Sequence, residues 1–224
     1  MKLSTLFRLG ENLNLDRKTL VILRWIAIIG QFTAINLVYF YLKLDFPVLI
    51  AHLILFFGFL TNSYLQFGIR SITIKDFYAS FFLVYDLIQL AFLLYLTGGI
   101  SNPFSILMII PAIVSSTFLS MGTTIILGLI TSLLLLTISF FHLPLPGEDM
   151  NLLHFPNFYK IGIIISILIG LIFLSYFGIR FSGEKKKTEE AFKKLQEVIY
   201  KEYELESLGG QAAAAAHSLG TPLA

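Results

Sequence analysis

One histidine near the end of this 224-residue chain sits where its chemistry can be used. His217 follows Ala212 to Ala216 and precedes Ser218-Leu219-Gly220-Thr221-Pro222. A phosphoryl-accepting imidazole must be neutral, exposed and held on a rigid element. Histidine, as a residue type, titrates near neutrality and so offers a neutral ring nitrogen in the cytosol. Alanine favours helix, and its small side chain leaves the imidazole open to a second protein. Thr221 lies four residues on, hence one turn along the same helical face. Its hydroxyl is placed to orient a water against a phosphoaspartate. Pro222 lacks a backbone donor and bends a helix there. The plain alternative is an alanine-rich helix whose histidine is incidental.

A second constellation is Gly98-Gly99-Ile100-Ser101-Asn102-Pro103-Phe104. Paired glycines reach backbone conformations that other residues avoid, and they leave room for a flat ring. Asn102 offers both a donor and an acceptor to a ring carbonyl. Asn before Pro103 favours an extended or turn geometry. Phe104 can stack on a ring or anchor a membrane interface. Ordinary turn chemistry between two helices explains the same string.

Isolated polar residues lie within apolar runs. Asp86 is a candidate functional residue, because a carboxylate within a membrane span is costly and faces a partner or water. It is expected to be protonated, to pair with an inward-facing polar group, or to belong to a proton-linked site. Arg24 and Trp25 read as interfacial anchors, and Gln31 and Asn36 as makers of interhelical hydrogen bonds. The histidines His52, His142 and His154 match no metal-ligand spacing, so no metal site is expected.

The elements that position these groups follow from composition. Hydrophobic residues make up 56% of the chain and charged ones only 13%, and most charges precede Trp25 or follow Phe181. The mean hydropathy is +0.81. This pattern predicts an all-α polytopic membrane protein with one cytosolic extension. A net charge of +2 with no basic, aromatic-interleaved patch argues against nucleic acid as a partner. The absence of cysteine removes disulfides and thiolate sites from these residues. The polar, basic opening from Met1 to Lys18 does not read as a signal peptide.

Six spans are expected, over Leu20–Tyr41, Phe46–Gln66, Phe77–Leu96, Phe104–Ser120, Thr123–His142 and Phe158–Arg180. Met121-Gly122 separates the fourth and fifth by a tight turn, or else breaks one bent helix. Lys2, Arg8, Arg17, Lys18, Arg24, Arg70, Lys75, Arg180 and Lys185 to Lys187 then share one side, against Lys43 and Lys160 on the other. The positive-inside rule makes the richer side cytoplasmic, with both termini there. The loop Leu143–Asn157, with Pro144, Pro146, Glu148 and Asp149, is too short for an external ligand-binding domain. A signal is therefore expected to be read within the membrane or at its surface.

Domains are expected at 1–19 (cytosolic segment), 20–180 (membrane sensor), 181–208 (helical linker) and 209–224 (start of a phosphoacceptor helix). In the linker, Ala191, Leu195, Val198 and Leu205 follow an a/d seam, with Glu202 at an intervening d position. This suits a weak parallel coiled coil or a solvated single helix. Ser182-Gly183 is the expected weak point of the rod, since glycine costs about 1 kcal/mol in a helix.

Two strings, Ala212 to Ala224 and Gly98 to Phe104, resemble the membrane half of the RegB/PrrB/ActS family of redox-responsive sensor histidine kinases. The resemblance covers essentially the whole chain. It implies a bacterial inner-membrane homodimer. His217 would be the autophosphorylation site, Thr221 a phosphatase-assisting residue, and a response-regulator receiver domain the phosphotransfer partner. The family's GGxxNPF quinone motif maps onto Gly98, Gly99, Asn102, Pro103 and Phe104, with membrane ubiquinone as the sensed ligand. ATP and Mg would belong to a kinase domain absent from these residues, so the chain is expected to be a piece of a longer protein and inactive alone. The family's redox cysteine is expected beyond Ala224. The chain departs from the usual pattern at Ser218, where an acidic residue commonly follows the histidine; a serine hydroxyl is a poor base. The competing class is a small six-span transporter or channel with a cytosolic coil, for which Asp86 is the best support.

Overall fold

The computed structural model describes residues 15–147 and 156–220, with side chains as far as Ser218. The described residues are helical apart from turns and one isolated bridge between Asp16 and Thr73. The helices are α1 (Arg17–Asn36), α2 (Val48–Phe67), α3 (Asp76–Leu96), α4 (Ile110–Phe118), α5 (Met121–Phe140) and α6 (Asn157–Gly220). A π-helical turn, Leu37–Tyr41, extends α1, and 3₁₀ segments cover Gly99–Ser101 and Pro103–Ile109. Two compact units divide the chain, 1–182 and 183–224.

Local sequence explains the boundaries. Asp16 caps α1, its side chain accepting from Lys18 N. Ser120 caps α5 and accepts from Thr123 N. The apolar faces of α1 to α3 and α5 are largely exposed, as in Ile26, Leu49, Phe67, Phe81 and Leu129. Such surfaces suit lipid and not water.

Among the described residues, five helices, not six, are long and apolar enough to cross a membrane. The expected fourth span, Phe104–Ser120, is corrected to a composite of the 3₁₀ segment Pro103–Ile109 and the short α4. Two prolines cause the division. Pro103 opens the 3₁₀ segment and Pro111 lies in the first turn of α4. Without an N–H, Pro111 cannot donate to the carbonyl of residue 107 as an α-helix requires. Instead Ile110 N donates to Leu107 O, the tighter i to i+3 pattern.

The composite nevertheless runs the length of its neighbour. At one end of the bundle, Asp76 Oδ2 in the first turn of α3 accepts from Ser120 N at 3.1 Å. At the other end, Leu143 N donates to Tyr95 O at 2.8 Å, and Gly98 lies against Leu145. Seven 3₁₀ residues at about 2.0 Å and nine α residues at about 1.5 Å give roughly 27 Å, close to a hydrocarbon core of about 30 Å. Lys18, Arg70 and Lys75 belong to the Asp76 end, as does Arg180, two residues from Gly178, which sits on Ser116. Lys43 lies at the opposite end.

Three buried clusters hold the bundle. One joins Leu20, Val21, Leu65, Phe82 and Leu127 near the basic end. Another joins Leu87, Leu90, Leu94, Met108, Leu135 and Ile167 at mid-depth. The third joins Ile35, Ala51, Leu55 and Leu93 toward the other end.

Candidate functional site

The membrane unit carries a polar seam that crosses α1, α2 and α3. Arg24 Nε donates to Asp86 Oδ1 and Oδ2 at 2.9 and 3.0 Å, and Nη2 approaches Oδ1 at 2.9 Å. Nη2 also donates to Thr61 Oγ1 on α2 at 2.8 Å. The guanidinium lies over Phe82 and Tyr85, 5.1 and 5.6 Å from the ring centroids. Arg24 is 3% exposed, so its expected role as an interfacial anchor is corrected. Its guanidinium is held inside the bundle by Asp86 and Thr61 and does not reach outward. Asp86 thus meets an inward-facing polar partner, one of the alternatives expected for it.

Gln89 Nε2 donates to Gln31 Oε1 at 3.0 Å, a second α1 to α3 bridge. Gly58 on α2 makes room for it, because a Cβ there would collide with the Gln89 amide. Asn36 departs from its expectation. Its Nδ2 donates to Phe32 O at 2.7 Å within the same helix, the local side-chain to backbone bond that Asn can make four residues back. Trp25 Nε1 donates to Gln66 Oε1 at 2.9 Å, so this indole bridges α1 to α2. Arg17 donates to the carbonyls of Gln66 and Ile69 and so closes the C-terminal end of α2.

The Gly98 string forms a tight turn between α3 and the composite segment. Gly98 and Gly99 have φ of 105° and 57°, a region that favours glycine. The space beside them is filled from within. Leu145 stands 2.6 Å from where a Gly98 Cβ would be, and Ile138 O and His142 crowd Gly99. Asn102 Nδ2 donates to Thr97 O and Thr97 Oγ1 at 3.1 and 2.8 Å, and Asn102 Oδ1 accepts from Phe104 N at 2.9 Å. Both amide protons of Asn102 are therefore committed inside the turn. Pro103 and Phe104 face outward, Phe104 at 46% exposure.

His217 lies on the exposed surface of α6, after the exposed alanines 212 to 216. Ser218 Oγ donates to Ala215 O at 2.8 Å, so this hydroxyl bonds back along its own helix. Thr221 and Pro222 lie outside the described residues, as do Glu148, Asp149 and His154. Among the described residues, no group of three His, Asp or Glu could hold a metal ion.

The three constellations occupy separate places in the chain. The polar seam and the Gly98 turn belong to the first compact unit and His217 to the second. Sequence reasoning missed the Arg24–Asp86 pair. The signal in the sequence was half of the pair: Asp86 lies deep in an apolar run and needs a partner, whereas Arg24 lies six residues after Lys18, where an arginine reads as an anchor.

No family profile and no solved structure matches the chain. Two curated relatives do, both called sensor histidine kinase RegB, one from Cereibacter sphaeroides and one from a named strain of that species. Each is 38% identical over 208 residues, which is 92% of this chain and 45% of the relative. The chain thus spans about half the length of the curated relatives it matches. With that likeness along nearly its whole length, the chain belongs to the family of RegB sensor histidine kinases.

Proposed function

We propose that this chain is the sensing and phosphoacceptor portion of a membrane histidine kinase that reports the redox state of the quinone pool. The observation that carries the reading is the His217 box on an exposed helix that begins as a membrane span, in a chain 38% identical to sensor kinases over 92% of its length. His217 accepts the phosphoryl group from ATP bound by a kinase domain and passes it to an aspartate on a response-regulator receiver domain. Thr221 assists the separate phosphatase reaction, orienting a water that hydrolyses the regulator's phosphoaspartate to aspartate and inorganic phosphate. The chain works as a homodimer, with α6 continuing into a paired linker.

The basic end of the bundle faces the cytoplasm, which puts both termini there and places the protein in the bacterial inner membrane. The Gly98 turn then lies at the outer interface. Ubiquinone approaches it from the lipid side across Phe104 and Pro103, since the amide of Asn102 is committed to Thr97. The oxidised quinone lowers kinase output by favouring one of two helix arrangements, which requires unequal affinity for the two. The transporter alternative leaned on Asp86, and that carboxylate is bound by Arg24.

The test uses membranes containing this chain, an intact kinase domain of the same family supplied separately, and radiolabelled ATP. Label that survives base but not acid is expected on this chain and is lost in His217→Gln. Label that persists in His217→Gln would overturn the phosphoacceptor assignment. For the ligand, Phe104→Ala is expected to blunt the response of the intact kinase to added ubiquinone. A full response in that variant would remove the Gly98 turn from the sensing site.

A further inference from the structure

The Arg24–Asp86 pair has a geometry that packing alone does not call for. A charged pair in a span is costly, and apolar residues of similar volume hold helices together at least as well. What an ion pair adds is direction. Two oxygens of Asp86 face Nε and Nη2 of Arg24, and Thr61 fixes Nη2 from α2. Such a fork defines both height and rotation of one helix against another, whereas leucine contacts permit sliding.

The pair lies directly upstream of the output helix. Asp86 is followed on α3 by Leu87, Leu90 and Leu94, which are buried in one cluster with Ile167 of α6. Ile163, Ile164 and Leu168 of α6 pack against the same cluster. So α3 is gripped by Arg24 through Asp86 and offers its next turns to α6. The grip is also incomplete. Arg24 Nη1 is buried with no hydrogen-bond partner, and so is Gln89 Oε1 one turn along. A buried donor left over favours any second arrangement that gives it an acceptor.

We propose that Arg24 and Asp86 are positioning residues, whose ion pair sets the register of α3 and, through Leu87, Leu90 and Leu94, the resting position of α6. The output part of this inference rests on the reading of His217 as phosphoacceptor; the register part does not.

Two measurements separate them. The chain has no cysteine, so cysteines placed at Leu90 and Ile167 report α3 against α6 by disulfide cross-linking in membranes. The variants are the neutral pair Arg24→Met/Asp86→Leu, the charge swap Arg24→Asp/Asp86→Arg, and Thr61→Val, which keeps the ion pair. The intact kinase carrying the same substitutions is assayed for phosphohistidine. The neutral pair is expected to fold, to change cross-linking about threefold or more and to shift phosphorylation by a similar factor. The charge swap returns both toward the parent values, and Thr61→Val moves both in the direction of the neutral pair by less. Parent-like cross-linking in a folded neutral pair overturns the proposal, as does parent-like cross-linking in Thr61→Val if the pair variants do not fold. Altered cross-linking with unaltered phosphorylation overturns the link to output. Failure of the parent kinase to label on His217 defeats the phosphoacceptor reading, while cross-linking still decides the register.

Discussion

The first three spans and the start of the last helix are held in opposite ways. Arg24, Asp86 and Thr61, then Gln31 and Gln89, then Trp25 and Gln66 bridge α1, α2 and α3 with directional bonds. The membrane part of α6 is seated by Ile163, Ile164, Ile167 and Leu168 and by the contact of Gly178 with Ser116. Gly162 and Gly170 of α6 have nothing within 4 Å of where a side chain would start. Directional bonds fix a register, and apolar contacts of this kind allow small shifts at low cost. The difference separates a directionally bonded frame from a last helix seated by apolar contacts.

The sharpest way to break this contrast is Asp86→Asn. It leaves the Arg24 guanidinium buried without a counter-charge and is expected to destabilise the membrane unit by about 3–5 kcal/mol in thermal unfolding. Ile167→Val, on the α6 side, should cost about 1 kcal/mol. Equal losses in the two variants would erase the distinction between frame and last helix. Next in size is Gly178→Leu. Its Cβ would overlap the Ser116 side chain, and the rest of the leucine needs more room still, so α6 must move away from α4 at about 1–3 kcal/mol. A stability unchanged from the parent would show that α6 does not rest there.

Gly99→Ala tests the turn that joins frame to composite segment. The φ of 57° and the crowding by Ile138 O and His142 predict a loss of about 1–2 kcal/mol, read as a lower unfolding temperature. The smallest effect is expected at Gly183→Ala, where nothing lies within 4 Å. Helix propensity alone should stabilise the middle of α6 by up to about 1 kcal/mol, seen as slower amide exchange around residue 183. Faster exchange there would mean that the glycine serves a contact.

Legibility followed distance along the chain. The His217 box and the Gly98 turn are local strings, so residue types and spacing were enough to mark them as candidates, and the turn itself forms where the glycines stand. The glycines were expected in unusual backbone conformations and adopt them, but the filling of their flank by Leu145 and His142 depends on residues more than forty positions away. The Arg24–Asp86 pair joins positions 62 apart, and an arginine near the start of a span ordinarily snorkels to the surface. Only packing reveals that it turns inward. Asn36 was legible as a polar residue in need of a partner but not as one that would choose its own helix. Hydropathy marked residues 104–120 as apolar, and it is blind to the prolines that turned the opening residues, as far as Ile109, into 3₁₀ helix.

The composite segment is longer than an α-helix of the same residues. Each residue of Pro103–Ile109 rises about 0.5 Å more in 3₁₀ than in α geometry, which lengthens the segment by roughly 3–4 Å. The same sixteen residues thus reach about as far as eighteen in an α-helix. The prolines that forbid α geometry also let a short stretch approach the thickness of a hydrocarbon core.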